Sequence, residues 1–120
     1  APSSGTANTG GGGGSINNLG GGGAGGGGAG GYLEATNQSI SAATYPIVIG
    51  AGGLSDRSPQ GANGGSGIVI VAYLSSYPSA SAASAGLTIN GSAGNITPDT
   101  ASRAGYKIYK ITAGTGTITW

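Results

Sequence analysis

The chain has 120 residues, 29 of them glycine, and four Lys/Arg against three Asp/Glu leave a net charge of +1. It contains no His, Cys, Met or Phe. That excludes disulfides, the commonest metal ligands and the usual general base. Four cations are too few to neutralise the phosphates of a nucleic acid, and no apolar run approaches the roughly 18 residues of a membrane-crossing helix.

In chain order, Ala1 to Thr9 is a small, polar lead-in, and a start at Ala1 without Met is expected of a processed product or of a piece of something longer. From Gly10 to Gly31 the sequence "GGGGGSINNLGGGGAGGGGAGG" holds fifteen glycines in twenty-two residues, with Ala24 and Ala29 where a methyl is admitted. Tyr32 to Ile40 is predicted to be a strand. Tyr45 to Gly50, "YPIVIG", is a second, at a sheet edge or a strand start because of Pro46. Ala51 to Gly67 is loop, with turn signals at Asn63-Gly64 and Ser66-Gly67. "GIVIVAYL", from Gly67 to Leu74, is apolar on both faces and is therefore expected to be central and covered on both sides.

Ser75 to Ala85 is rich in small residues and is taken as a linker. Leu87 to Ile89 and Asn95 to Thr97 are expected to form a short hairpin around Asn90-Gly91. The closing "YKIYKITAGTGTITW" predicts a hairpin of Tyr106 to Thr112 and Thr115 to Trp120 turning at Ala113-Gly114, with the threonines of its last strand on a wet face. No amphipathic helix is predicted. The organisation expected is a glycine-rich lead (1–31), a glycine-rich β-domain (32–74), and a linker with a C-terminal hairpin (75–120). The fold class is all-β: a small antiparallel β-sandwich or jelly-roll-like sheet, with the glycine run in a polyglycine II-like or extended conformation.

The patterns of familiar chemistry are missing. A phosphate-binding loop needs a Gly-Lys-Ser/Thr ending, and no lysine precedes Lys107. A serine nucleophile needs a base, and there is no His. No catalytic residue, cofactor or metal site is assigned, and the chain is not expected to be an enzyme. Three glycosylation sequons occur, at Asn37, Asn90 and Asn95, where chance gives roughly one or two in so Ser/Thr-rich a chain, so no role is assigned to them. Tyr32, Tyr73 and Trp120 are assigned to the core. Candidates for surface recognition are Asp56 and Arg57, on the loop, and Tyr77, beside Pro78.

The order of these features resembles the glycine-rich domain of bacteriophage tail fibres and related virion proteins. The residues that carry the likeness are "GGAGGY", "YPIVIGAGG", "GGSGIVIVAY" and the closing "YKIYKITAGTGTITW", and it extends over Gly20 to Tyr73 and Gly105 to Trp120, more than half the chain. In that family the aromatic-Ile-Thr hairpin usually precedes the glycine run, whereas here it follows. Either upstream strands are left out of this sequence or the hairpin completes a sheet in trans; the expectation is pairing with a neighbouring domain or protomer, with Tyr106, Ile108, Tyr109, Ile111, Ile118 and Trp120 forming an assembly strand. The resemblance implies a structural virion component, a tail-fibre or tip domain that is a rigid scaffold for host attachment. Its partners would be other copies in a homotrimer, other virion proteins, and a host surface glycan or outer-membrane protein. A non-viral extracellular filament assembling by strand exchange is the alternative. Packed polyglycine II, used by tail-fibre adhesins of the T-even type, has three residues per turn and rises about 3.1 Å per residue. It is stable only where neighbouring backbone satisfies its N–H and C=O groups.

Overall fold

A computed structural model of the chain describes residues 3–14, 27–54 and 62–120. Two units separate: Ala1–Glu34 with Ala51–Gly67, and Ala35–Gly50 with Ile68–Trp120.

The second unit is an antiparallel β-sandwich. Its strands are β1 (Thr44–Val48), β2 (Val69–Leu74), β3 (Ala82–Ala83), β4 (Thr88–Ile89), β5 (Ser92–Ala93), β6 (Tyr106–Ala113) and β7 (Thr115–Thr119). One sheet has the order β1-β7-β3 and the other β2-β6-β4-β5. Leu87, Ile89, Tyr109, Ile111 and Ile118 are fully buried between them. Tyr45, Ile47, Val69, Val71, Tyr73 and Trp120 pack around that centre.

Several expectations change. Tyr32 to Ile40 is not a strand, and Tyr32, assigned to the core, is 85% exposed. Its hydroxyl donates to Glu34 Oε2 at 2.6 Å, and that hydrogen bond, with the carboxylate's charge, raises the phenol pKa. The β2 sequence does form a strand, but at a sheet edge, with one side half-buried and the other exposed. The strand with consecutive buried residues on opposite faces is β6, at Ile108 and Tyr109. It carries two lysines within the sheet, because a lysine can lay its stem along the protein and leave its head in a polar setting. Lys107 Nζ donates to the carbonyl of Tyr77.

The closing segment is not a hairpin. β6 pairs with β2 and β4, whereas β7 pairs with β1 and β3, so the chain crosses from one sheet to the other at Gly114. Gly114 has φ +99°, and its carbonyl accepts from Ile49 N at 2.9 Å. The threonines of β7 do alternate outward, as expected, opposite buried Ile118. The supposed linker is also folded. Ser81 N and Ser84 N donate to Thr119 O and Thr117 O, and β3 lies between those two bonds.

The Asn90-Gly91 turn is where the sequence placed it, but β4 pairs with Ser92–Ala93 rather than with Asn95 to Thr97. Positive φ at both residues, 48° and 84°, matches the two-residue turn that follows strand twist. Asn90 also substitutes for a missing stretch of strand. Its Nδ2 donates to Ile108 O (3.0 Å) and Thr97 O (3.2 Å), and its Oδ1 accepts from Lys110 N (2.9 Å). Asn90→Asp removes both donations and sets a carboxylate against two carbonyls. Stability is expected to fall by about 1–3 kcal/mol, read as a lower urea midpoint.

The first unit is held by backbone. Gly27 N donates to Gly13 O and Gly30 N to Gly10 O, both at 2.7 Å, a step of three residues on each segment. The same step separates Gly5 N→Asn63 O from Asn8 N→Ser66 O. Further bonds run from Gly14 N to Ser3 O, Gly64 N to Gly53 O and Gly65 N to Gly11 O. The segments approach too closely for side chains. A Cβ at Gly12 would run into the carbonyl oxygens of Gly27 and Gly28, and one at Gly52 into that of Gly64.

Candidate functional site

Among the described residues, no three His, Cys, Asp or Glu side chains come together as a metal site, and no helix is long and apolar enough to cross a membrane. The features that could act are the aromatic cluster, the polar end of β6 and the sheet edges.

The aromatic cluster is structural. Tyr109 is fully buried; its ring meets Trp120 edge-on at 5.7 Å and stacks on Tyr73 at 6.3 Å. Its hydroxyl accepts from Ala80 N and donates to Ile96 O, each at 2.9 Å. Trp120 Nε1 donates to the Tyr73 hydroxyl, which in turn donates to Pro78 O. Burial is the main cause of a raised Tyr73 pKa, partly offset by the Trp120 hydrogen bond. Every polar atom of the cluster is therefore occupied inside the fold, leaving none to hold a ligand.

Near the start of β6, Asp99 binds its own loop. Its Oδ1 accepts from Ala101 N and Ser102 N at 2.9 and 3.0 Å, and its Oδ2 accepts from the Ser102 hydroxyl. The Asp99 backbone bridges Ile108 in both directions. The Ser102 hydroxyl first, then the two backbone N–H groups and the charge of Lys110, hold the carboxyl below its ordinary pKa. A lowered folded pKa favours the folded state above the unfolded value, near pH 4, and that contribution disappears as pH falls through the folded value. Asp99→Asn should therefore flatten the loss of stability as pH falls below about 4, measured as urea midpoint against pH. An unchanged slope would rule Asp99 out as a contributor. Arg103 stacks over the Tyr106 ring, with Cζ 3.7 Å from the centroid.

Of the recognition candidates, Asp56 and Arg57 lie outside the described residues. Tyr77 is 61% exposed at the turn after β2, with its N–H on Leu74 O. The candidate assembly residues are in the middle of the sandwich: Ile108, Tyr109, Ile111 and Ile118 are buried, and Tyr106 and Trp120 half-buried. β6 and β7 have strand neighbours on both sides, so neither offers a bare edge for pairing in trans. Among the described residues, the outermost strands of the two sheets are β1, β2, β3 and β5. Sequence reasoning found β2 as a strand but placed it at the centre, because its two apolar faces pointed to a covered position. Comparison of the chain with family models, curated proteins and solved structures gives no match.

Proposed function

We propose that this chain is a non-catalytic structural component of a bacteriophage virion, a tail-fibre or tip domain that gives a rigid scaffold for attachment to a host surface. It works with other copies of itself, three by the family resemblance, and with other virion proteins. The observation that carries the proposal is the hydrogen bonding of the glycine segments at steps of three residues. A glycine run used as a tether gains nothing from such bonds. A packed polyglycine II scaffold requires them, because ordering each glycine costs about 1–2 kcal/mol of backbone entropy, which partnered N–H and C=O groups must offset.

Immunogold electron microscopy of particles from the source of this sequence tests the role. Label at the distal fibres or tip is expected, and particles without label would refute it. Amide exchange in the full chain tests the scaffold separately. Gly27 and Gly30, which donate to Gly13 and Gly10, should exchange slowly, while Gly28 and Gly31, which make no such bond among the described residues, exchange faster. Uniformly fast exchange across these four glycines would refute a rigid scaffold.

A further inference from the structure

We propose that the outer edge of β2 is a self-association site, at which a second copy of this chain adds its own β2 antiparallel about a twofold axis through Ala72. The inference is independent of a virion role.

The direction of the backbone groups follows from the pairing with β6. Val69, Val71 and Tyr73 face Ile111, Tyr109 and Lys107, and the same register continues to Ser75 N→Gly105 O. Antiparallel pairs alternate between bonded and non-bonded. Val69, Val71 and Tyr73 therefore spend their N–H and C=O groups on β6, while those of Ile70, Ala72 and Leu74 point away from it. Among the described residues, nothing bonds to the outward groups of Ile70 and Ala72, and only Tyr77 N reaches Leu74 O.

The other edges differ. β3 and β5 are two residues each. β1 is long enough, but Ile49 N→Gly114 O and Trp120 N→Ala43 O set its register so that Pro46 is in an outward-bonding position. Proline has no N–H to give, and this is how sheet edges are commonly closed to strangers. β2 has no proline, glycine or charged residue, and it exposes apolar side chains at Ile70 (56%) and Leu74 (50%).

The occupant is a second β2 because the strand is complementary to itself. With Ala72 opposite Ala72 of the second copy, Ile70 falls opposite Leu74 and Leu74 opposite Ile70. All three pairs are of the bonded type: the Ala72 pair exchanges two hydrogen bonds, and in each flanking pair Leu74 N is free to donate to Ile70 O, while Leu74 O already accepts from Tyr77 N. On the other face Val71 meets Tyr73, so the half-buried rim of each core is covered by its equivalent. No charge meets a like charge along the strand. A copy adding through β1 would instead present Pro46 and lose the central donor. The twofold joint makes pairs, so a threefold assembly must use other surfaces.

The test uses the full chain. Sedimentation of the wild type should give a mass of two chains, or an even multiple. Ala72 is exposed in the single chain, so A72K and A72E should fold normally by circular dichroism, yet each should weaken pairing by about tenfold or more through like charges directly opposite. Mixing A72K with A72E should restore it. The chain has no cysteine, so A72C should form a disulfide-linked dimer under mild oxidation, while V48C on β1 should not. A monomeric wild type would overturn the proposal, as would pairing that A72K leaves intact, or A72C and V48C crosslinking equally. None of these outcomes bears on where in a virion the chain is found.

Discussion

Gly114→Ala should be among the most damaging single-methyl changes in the protein, lowering stability by about 2–5 kcal/mol. Two penalties coincide at this residue. Its φ of +99° is one that side chains rarely adopt, which accounts for about 1–2 kcal/mol. An added Cβ would also overlap the carbonyl oxygen of Gly86, which is backbone and cannot rotate away. Displacing packed backbone costs a further 1–3 kcal/mol or so. The position matters because Gly114 is the single residue between β6 and β7, the central strands of the two sheets. A shift there moves β6 against β7 and opens the core at Ile111 and Ile118. Gly91→Ala separates the two penalties: φ is +84°, but the space around it is open. Its loss should be confined to about 1–2 kcal/mol. In urea the two midpoints should differ by about 1 M or more. Equal midpoints would mean that the Gly86 contact relaxes freely and that only the dihedral matters.

What was legible in the sequence was local. "YPIVIG", "GIVIVAYL", "YKIYKITA" and the threonine alternation of the last strand all lie where β1, β2, β6 and β7 form, and Asn90-Gly91 turns as its chemistry requires. The partners were not legible. Hydrophobicity put β2 at the centre, but position in a sheet is decided by which strands flank which. Here the folded segment Ser81 to Ser84 and the Asn90 side chain supply flanking bonds that no apolar pattern announces. The Ala113-Gly114 signal predicts a hairpin turn, whereas the chain passes there from one sheet to the other. A single positive-φ glycine, however, can turn a chain back on itself or pass it to another sheet, and only the pairing distinguishes the two. The candidate site followed the same logic: an assembly strand was expected at the last apolar segment, which lies inside the two sheets, whereas the segment that looked most interior is one of the outer strands.

Tyr109 offers the second large effect and a way to divide it. Tyr109→Ala should cost about 3–5 kcal/mol, because the ring is fully buried between the sheets and meets both Tyr73 and Trp120. Tyr109→Phe keeps the ring and removes only the hydroxyl. The Ala80 N–H then has no acceptor and Ile96 C=O loses its donor, for about 1–3 kcal/mol. The two substitutions should also differ in where they act. Trp120 is the only tryptophan, so its fluorescence reports on the ring cluster alone. It should shift to the red in Tyr109→Ala, where an edge-on neighbour is lost and water can approach, and stay in place in Tyr109→Phe. Amide exchange should do the reverse in relative terms. With the ring intact, Tyr109→Phe should speed exchange at Ala80, whose amide it leaves unpartnered, and leave Ile118 in the core slow. Such a result would assign the hydroxyl to docking residues 78–83 onto the sandwich and the ring to holding the sheets together. If Tyr109→Phe instead accelerated exchange at Ile118 as much as at Ala80, the hydroxyl would be part of the same cooperative unit as the core, and the two roles could not be separated.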